Sequence, residues 1–309
     1  MKRFLILCAV FLVSFGAGRC RADDRPVPAI QRAVVISIDG LRPDLLLRAA
    51  TPEIHKLIAQ GSFTFWARTT AMAITLPSHT SMLTGVTPDK HGIYWNSDLP
   101  LKVPIYPAWP TLFELAKRAG YTTGMVAGKS KFATLAKPGT LDWQFIPDQP
   151  LTTDDVVVHD AVQIIHDHQP QVLFVHFPNV DTAGHAAGWG SAAQMAAIEH
   201  ADACVGQVMA ALDQQKLLGA TFLILTSDHG GAGLSHGPDD ERSRNIPWIA
   251  VGPGIRKGYD LTQLNELTVH TEDTFATVCY LLNIHPPRPI DGHAVLPILE
   301  SRDLMARPG

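Results

Sequence analysis

Three short apolar runs in this sequence each end in residues that can hold a metal ion. VVISIDG ends in Asp39, LFVHFPNVDTAGH runs into Asp181 and His185, and LILTSDHGG ends in Asp228 and His229. His236 follows in LSHG, shortly before the next apolar run. An aspartate after a strand is commonly a turn or helix-cap residue, so each alone reads first as structure. Three such ends, with glycines packed around them, are much harder to assign to turns. Carboxylate mixed with imidazole suits zinc, with manganese or iron as alternatives, whereas an all-oxygen calcium site would not use three histidines. Two metals about 3.5–4 Å apart clamp the attacking and leaving oxygens of a phosphoryl transfer. The six side chains plus one hydroxyl would fill two such sites and leave open positions.

The hydroxyl has a candidate in AITLPSHTSMLTG, where Thr75 stands at the junction between an apolar segment and a helical one. Read as structure, the stretch is a helix start with Ser78 as N-cap. Read as chemistry, Thr75 sits at the positive end of a helix, where a phosphate is favoured.

These residues need a scaffold that brings chain-distant loops together. The runs AVVISI, YTTGMVA, QVLFVHF, TFLILTS and PWIAVG are continuously apolar, as strands buried on both faces of a parallel sheet are. Between them TPEIHKLIAQ, TLFELAKRAG, DDVVVHDAVQIIHDHQ, SAAQMAAIEHADACVGQVMAALDQQ and HTEDTFATVCYLLNI have helical spacing. Strand and helix in alternation predict an α/β three-layer sandwich with a mostly parallel central sheet, whose ligands bind beyond the carboxyl ends of the strands. No repeat or linker divides the chain, so a single catalytic domain is expected over 23–309. The segment from Ser97 to Pro110 reads as an irregular surface excursion.

The 309 residues are 46% apolar, enough for a sizeable core, and the net charge of -4, without Lys/Arg clusters, argues against a nucleic-acid-binding surface. At the amino terminus Lys2 and Arg3 precede an apolar run and then small residues, the pattern of a signal peptide over 1–22. Arg19 before Cys20 disfavours a lipid anchor. No later segment is apolar for long enough to span a membrane, so the expected product is exported, periplasmic or extracellular. Outside that leader only Cys204 and Cys279 remain; both read as core thiols, with one bridge between them left open.

The order Asp39, Thr75, Asp181-x-x-x-His185, Asp228-His229, His236 resembles the alkaline phosphatase superfamily, and within it the nucleotide pyrophosphatase/phosphodiesterase branch. The stretches ISIDGLRPDLL, TLPSHTSMLTGVTPDKHGIYWN, DTAGH and SDHGG carry the likeness, which extends to PRPIDGHAVLPIL near the end. The resemblance implies a two-metal, most simply two-zinc, hydrolase of phosphodiester or pyrophosphate bonds in small phosphodiester or nucleotide-like substrates. It makes Thr75 the nucleophile that forms a covalent phosphothreonine. Asp39, Asp228 and His229 would hold the metal at that hydroxyl, and Asp181, His185 and His236 the metal at the leaving oxygen. Asn96 and the Thr75 backbone N–H would donate to a non-bridging phosphate oxygen. His270 competes for the last ligand place, but it precedes a cap-like Thr-Glu-Asp cluster. His79 and His91 are expected beside the ligands, His176 and His293 in structural roles.

The sequence also departs from the branch. Leu76 stands where these phosphodiesterases commonly carry an aromatic residue, and Ser78 replaces their usual Asn. A phosphomonoesterase remains the alternative, with Lys129 available to neutralise the extra charge, and a metal-holding relative without turnover is a third reading. The frame Thr75-Leu76-Pro77-Ser78-His79 lacks the Cys or Ser that a sulfatase converts.

Overall fold

In the computed structural model, which describes residues 25–97, 105–237 and 240–300, the strands are β1 (Arg32–Ile38), β2 (Ser62–Arg68), β3 (Thr123–Ala127), β4 (Trp143–Phe145), β5 (Val172–Phe177), β6 (Thr221–Thr226), β7 (Asn245–Val251) and β8 (Tyr259–Asp260). They form one 8-stranded sheet in the order β4-β3-β5-β1-β6-β7-β2-β8. The predicted signal peptide lies outside the described residues. Among those described, no helix is long and apolar enough to cross a membrane.

Strand β1 shows why the order arises. Ala33 and Val35 pack into one apolar cluster, Val34, Ile36 and Ile38 into another, so successive side chains feed opposite faces of the sheet. Helices Thr75–Thr84, Leu112–Arg118 and Asp273–Leu281 close the first face, contributing Met82, Phe113 and Phe275. Helices Pro52–Gln60, Asp154–His168 and Ala192–Gln214 close the second through Leu57, Val157 and Val205. The result is the three-layer α/β sandwich read from the sequence. Cys279 belongs to the first cluster and Cys204 to the second; the sheet lies between them and both thiols are free.

Neighbours β3, β5, β1 and β6 run parallel, so their carboxyl ends converge on one edge. The residues that follow them are Gly128-Lys129, Pro178-Asn179, Asp39-Gly40 and Ser227-Asp228. β7 departs from the parallel reading: it is antiparallel to both β6 and β2. A continuous apolar run records burial on both faces but not direction. The reversal places the start of β7, and the loop before it with His236, at that same edge. β2 escaped the sequence reading because SFTFWAR alternates in burial, and β4 and β8 are short strands at the two sheet edges.

The helix after β2 begins earlier than a Ser78 cap would allow. Thr75 is its first residue and Ile74 its N-cap, in extended conformation. Pro77 is tolerated because it falls in the first turn, where N–H groups have no intrahelical acceptor. Ser78 Oγ instead bonds Thr69 Oγ1 at 2.6 Å and donates to the Asp228 carbonyl at 2.7 Å, tying the helix to the β6 edge.

Candidate active site

The carboxyl edge gathers the six candidate ligands into two groups, Asp39 with Asp228 and His229, and Asp181 with His185 and His236. Within each group the donor atoms lie within 4.8 Å of one another. These are the two sets implied by the resemblance. His229 and His236, one from each, stack with ring centroids 3.7 Å apart, so the groups abut.

Close backbone packing makes this convergence feasible. Gly40, at φ 75, follows Asp39; a Cβ there would come within 2.9 Å of the Asp181 Cα. Its N–H donates to Asp228 Oδ1 at 3.2 Å, and its carbonyl accepts from the Trp189 indole at 2.9 Å. One glycine therefore lets three carboxylates from three strand ends approach.

The histidines are oriented by the backbone. Nδ1 of His185, His229 and His236 donates to the carbonyls of Leu234 (2.9 Å), Gly230 (2.8 Å) and Ala73 (2.8 Å). That arrangement puts the proton on Nδ1 and leaves the Nε2 lone pair for a metal. Burial, with His236 next to it, lowers His229 to about 4, which keeps the ring neutral near pH 7.

The carboxylates match them. Asp39 Oδ1, Asp181 Oδ1 and Asp228 Oδ2 are buried without a hydrogen-bond partner. Each faces an imidazole Nε2 of its own group: His229 lies 3.4 Å from Asp39 and 3.2 Å from Asp228, and His185 lies 3.4 Å from Asp181. Buried unpaired carboxylate oxygens are costly unless a cation satisfies them. Orphaned oxygens beside neutral nitrogens are a donor set that fits divalent metal ions.

Thr75 is buried at 1% exposure, and its Oγ1 lies 3.4 Å from His229 Nε2, against the Asp39 group. Asn96 Oδ1 accepts from the Leu76 N–H at 2.9 Å, while Lys131 donates to the Asn96 carbonyl at 2.6 Å. With its side-chain oxygen engaged, the Asn96 amide offers its NH2 as a donor beside the helix start.

Lys129, after β3, is closer to the centre than the sequence reading required. Its ammonium donates to Asp39 Oδ2 at 2.6 Å and Asp181 Oδ2 at 2.7 Å, and lies 3.5 Å from Thr75 Oγ1. Burial disfavours the charge, but the two aspartates outweigh it and hold Lys129 above the ordinary lysine range. Asp39 answers in kind: burial would raise it, yet Lys129, with His176 and His229, keeps its carboxyl well below the usual range. The site opens at exposed His185 into a cavity of about 460 Å³ lined by Lys129, Lys131, Leu151, Asp181 and Thr182.

The remaining histidines divide differently from expectation. His79 does sit beside the site, with Nδ1 2.8 Å from the Thr75 carbonyl and Nε2 2.8 Å from Ser37 Oγ. His91 is one step removed, bonding Ser81 Oγ at 3.0 Å. His176, read as structural, touches a candidate ligand: Nδ1 accepts from Gly128 N–H at 3.1 Å and Nε2 donates to Asp39 Oδ2 at 2.9 Å. The signal was present in QVLFVHF, because a polar residue in a doubly buried strand must find a partner. His270 and His293 are exposed, each with its backbone N–H on Asp273. Lys131 had no signal beyond its spacing from Lys129.

The family model for type I phosphodiesterase / nucleotide pyrophosphatase matches residues 33–246. An uncharacterized pyrophosphatase/phosphodiesterase of Schizosaccharomyces pombe is 25% identical over 238 residues, 65% of this chain and 45% of that protein. Human ectonucleotide pyrophosphatase/phosphodiesterase family member 1 is 26% identical over 240 residues, 70% of this chain and 25% of that protein. The chain thus spans less than half the length of these two relatives. In structure it is similar to an inactive murine ectonucleotide pyrophosphatase/phosphodiesterase 5 in complex with AMP, with a TM-score of 0.72 at 16% identity over 87% of this chain and 100% of that one. That likeness shows the alkaline-phosphatase-like fold, while the match from β1 into β7 carries the assignment: the chain belongs to the type I phosphodiesterase / nucleotide pyrophosphatase family.

Proposed function

We propose that this protein is an exported two-metal hydrolase that cleaves phosphodiester or pyrophosphate bonds through a covalent phosphothreonine. The observation that carries the reading is a buried threonine hydroxyl beside two abutting groups of carboxylate and imidazole donors, one carboxylate oxygen of each aspartate being unpartnered. Two divalent cations, zinc on the chemistry of this donor set, would be held by Asp39, Asp228 and His229 with Thr75, and by Asp181, His185 and His236. When bound, they lower the pKa of the attacking oxygen and offset charge on the leaving one.

The protein groups have separate tasks. Thr75 Oγ1 attacks phosphorus, the bond to the leaving oxygen breaks, and phosphothreonine forms; water then cleaves that ester and restores the hydroxyl. The Asn96 NH2 and the Thr75 N–H, at the positive end of the helix, donate to a non-bridging oxygen as its charge grows. His176 and Gly40 hold Asp39 and Asp228 in place.

The AMP held by the murine neighbour supports nucleotide-like substrates, and Leu76 supplies no ring on which a base could stack. Export rests on the leader pattern over 1–22 and agrees with the human relative's description as an ectonucleotide enzyme. A single catalytic domain from 23 to 309 completes the reading.

A phosphomonoesterase is the second reading, favoured by Lys129. A monoester carries one more negative charge than a diester, and this ammonium lies 3.5 Å from the nucleophile. The deciding experiment compares kcat/KM for bis-p-nitrophenyl phosphate and p-nitrophenyl phosphate on zinc-loaded protein. Preference for the diester supports the main reading; preference for the monoester replaces it with the second.

A further inference from the structure

On the second face of the sandwich, helices Asp154–His168 and Ala192–Gln214 bring together Asp155, His200 and Cys204. His200 and Cys204 are four residues apart, so they share one helix face. Asp155 comes from the first turn of the neighbouring helix. His200 Nε2 lies 3.1 Å from Asp155 Oδ1 and 3.7 Å from Cys204 Sγ, and the three donor atoms are within 4.8 Å of one another. Around a tetrahedral ion with bonds of about 2.0–2.3 Å, neighbouring ligand atoms stand roughly 3.3–3.8 Å apart. The two His200 separations lie close to that range. A sequence reading that takes Cys204 as a core thiol accounts for its burial but not for the imidazole and carboxylate beside it.

We propose that Asp155, His200 and Cys204 form a separate binding site for a soft or borderline divalent cation such as zinc. The thiolate supplies the soft ligand that the two oxygen- and nitrogen-lined groups at the carboxyl edge lack. Binding replaces the S–H bond with a sulfur–metal bond and releases the thiol proton to solvent. A second observation points the same way. Asp154, next in sequence, is fully buried with Oδ2 unpartnered, and its carboxylate acts electrostatically on Cys204. Burial, and after it the carboxylates of Asp154 and Asp155, hold the thiol proton against loss; the same carboxylates attract a divalent cation.

The site has a route to the active site. Asp154 Oδ1 accepts from the Asn179 N–H at 3.0 Å, at the start of the helix Asn179–Ala187 that carries Asp181 and His185. A cation pinning helix Asp154–His168 to Ala192–Gln214 would fix the anchor of that helix. It would act as a structural clamp, independent of how the Thr75 chemistry proceeds.

The test is spectroscopic. The full chain, stripped of metal, is titrated with Co2+ while the thiolate-to-cobalt charge-transfer band is followed. Only a cysteine ligand gives this band, so cobalt exchanging into Asp and His sites is silent there. The expected result is a saturable band with the intensity of about one thiolate–cobalt bond per chain, absent in Cys204→Ser and needing at least about tenfold more cobalt in His200→Ala, the loss typical of one ligand or its support. His200 is partly exposed, so its replacement leaves the core intact. No band in the wild-type protein, a band that survives Cys204→Ser, or an unchanged titration in His200→Ala would overturn the proposal.

Discussion

The Lys129 ammonium lies 2.6 Å from Asp39 Oδ2 and so carries a fixed positive charge into a site built around three aspartates. It also reaches Asp181, which makes it the bridge between the two candidate metal groups. Removing one partner of a buried ion pair leaves uncompensated charge and costs about 3–5 kcal/mol. Lys129→Met should therefore destabilise metal-stripped protein by roughly that amount. Metal-loaded protein should lose much less, because divalent cations then answer the same carboxylates. Urea unfolding with and without chelator measures both. Equal destabilisation in the two states would show that Lys129 and the metals do not share the aspartates. The same variant should lose at least about tenfold more kcat/KM on the monoester than on the diester if Lys129 also neutralises the extra phosphate charge.

Thr75→Ala isolates the nucleophile. Its side chain is small, and the Asp39 group keeps its aspartates and imidazole. Turnover should fall at least about a thousandfold, since a nucleophile and its activating groups act as a unit. Metal content by elemental analysis should stay at the wild-type level. Hydrolysis persisting at wild-type rate would remove Thr75 from the chemistry, whatever the metal content.

His176 acts through Asp39, and its replacement should show as weakened metal affinity rather than lost chemistry. Asp39 Oδ2 is held by His176 and Lys129, which leaves Oδ1 for a metal. In His176→Ala the carboxylate loses one of these two partners, so the zinc concentration for half-maximal activity should rise about 10–100-fold, with kcat recovered at saturating zinc. His176→Gln, which retains a donor, should recover part of the affinity. A fall in kcat that zinc does not rescue would instead mean that His176 bears on the reacting atoms directly.

How much of this was legible beforehand follows from what each pattern encodes. Strand ends that terminate in Asp39, Asp181 and Asp228 can be read because a parallel sheet collects such ends on one edge. The direction of β7 could not be read, since its apolar run looks the same in either orientation. Its reversal is nonetheless what brings His236 to the site. Ser78 misled for a local reason: a good N-cap residue close to a proline suggests a helix start, yet its hydroxyl holds the Asp228 carbonyl across the fold. His176 was hidden in plain view, as one polar residue within β5. Lys131 beside Asn96 depends on a loop geometry that no periodicity records.

His91 gives a pH dependence independent of the metal ligands. Buried beneath the helix Thr75–Thr84, it bonds Ser81 Oγ and accepts from the Ile93 N–H at 3.0 Å. Burial lowers it from 6.5 to about 4. The unfolded chain therefore takes up a proton as pH falls through 6.5, while the folded chain resists until about 4. Between those values the unfolded state binds more protons, so stability must fall as pH falls. The contribution is complete above the unfolded value and lost progressively toward the folded one, at up to about 1.4 kcal/mol per pH unit. His91→Gln, which can still bond Ser81, should remove this slope while costing little at pH 7.5. The check is the difference in urea-unfolding free energy between wild type and variant from pH 7.5 to 4. A difference that stays constant across that window would mean that His91 is protonated in the folded protein, and that the Ile93 N–H does not hold its ring nitrogen as an acceptor.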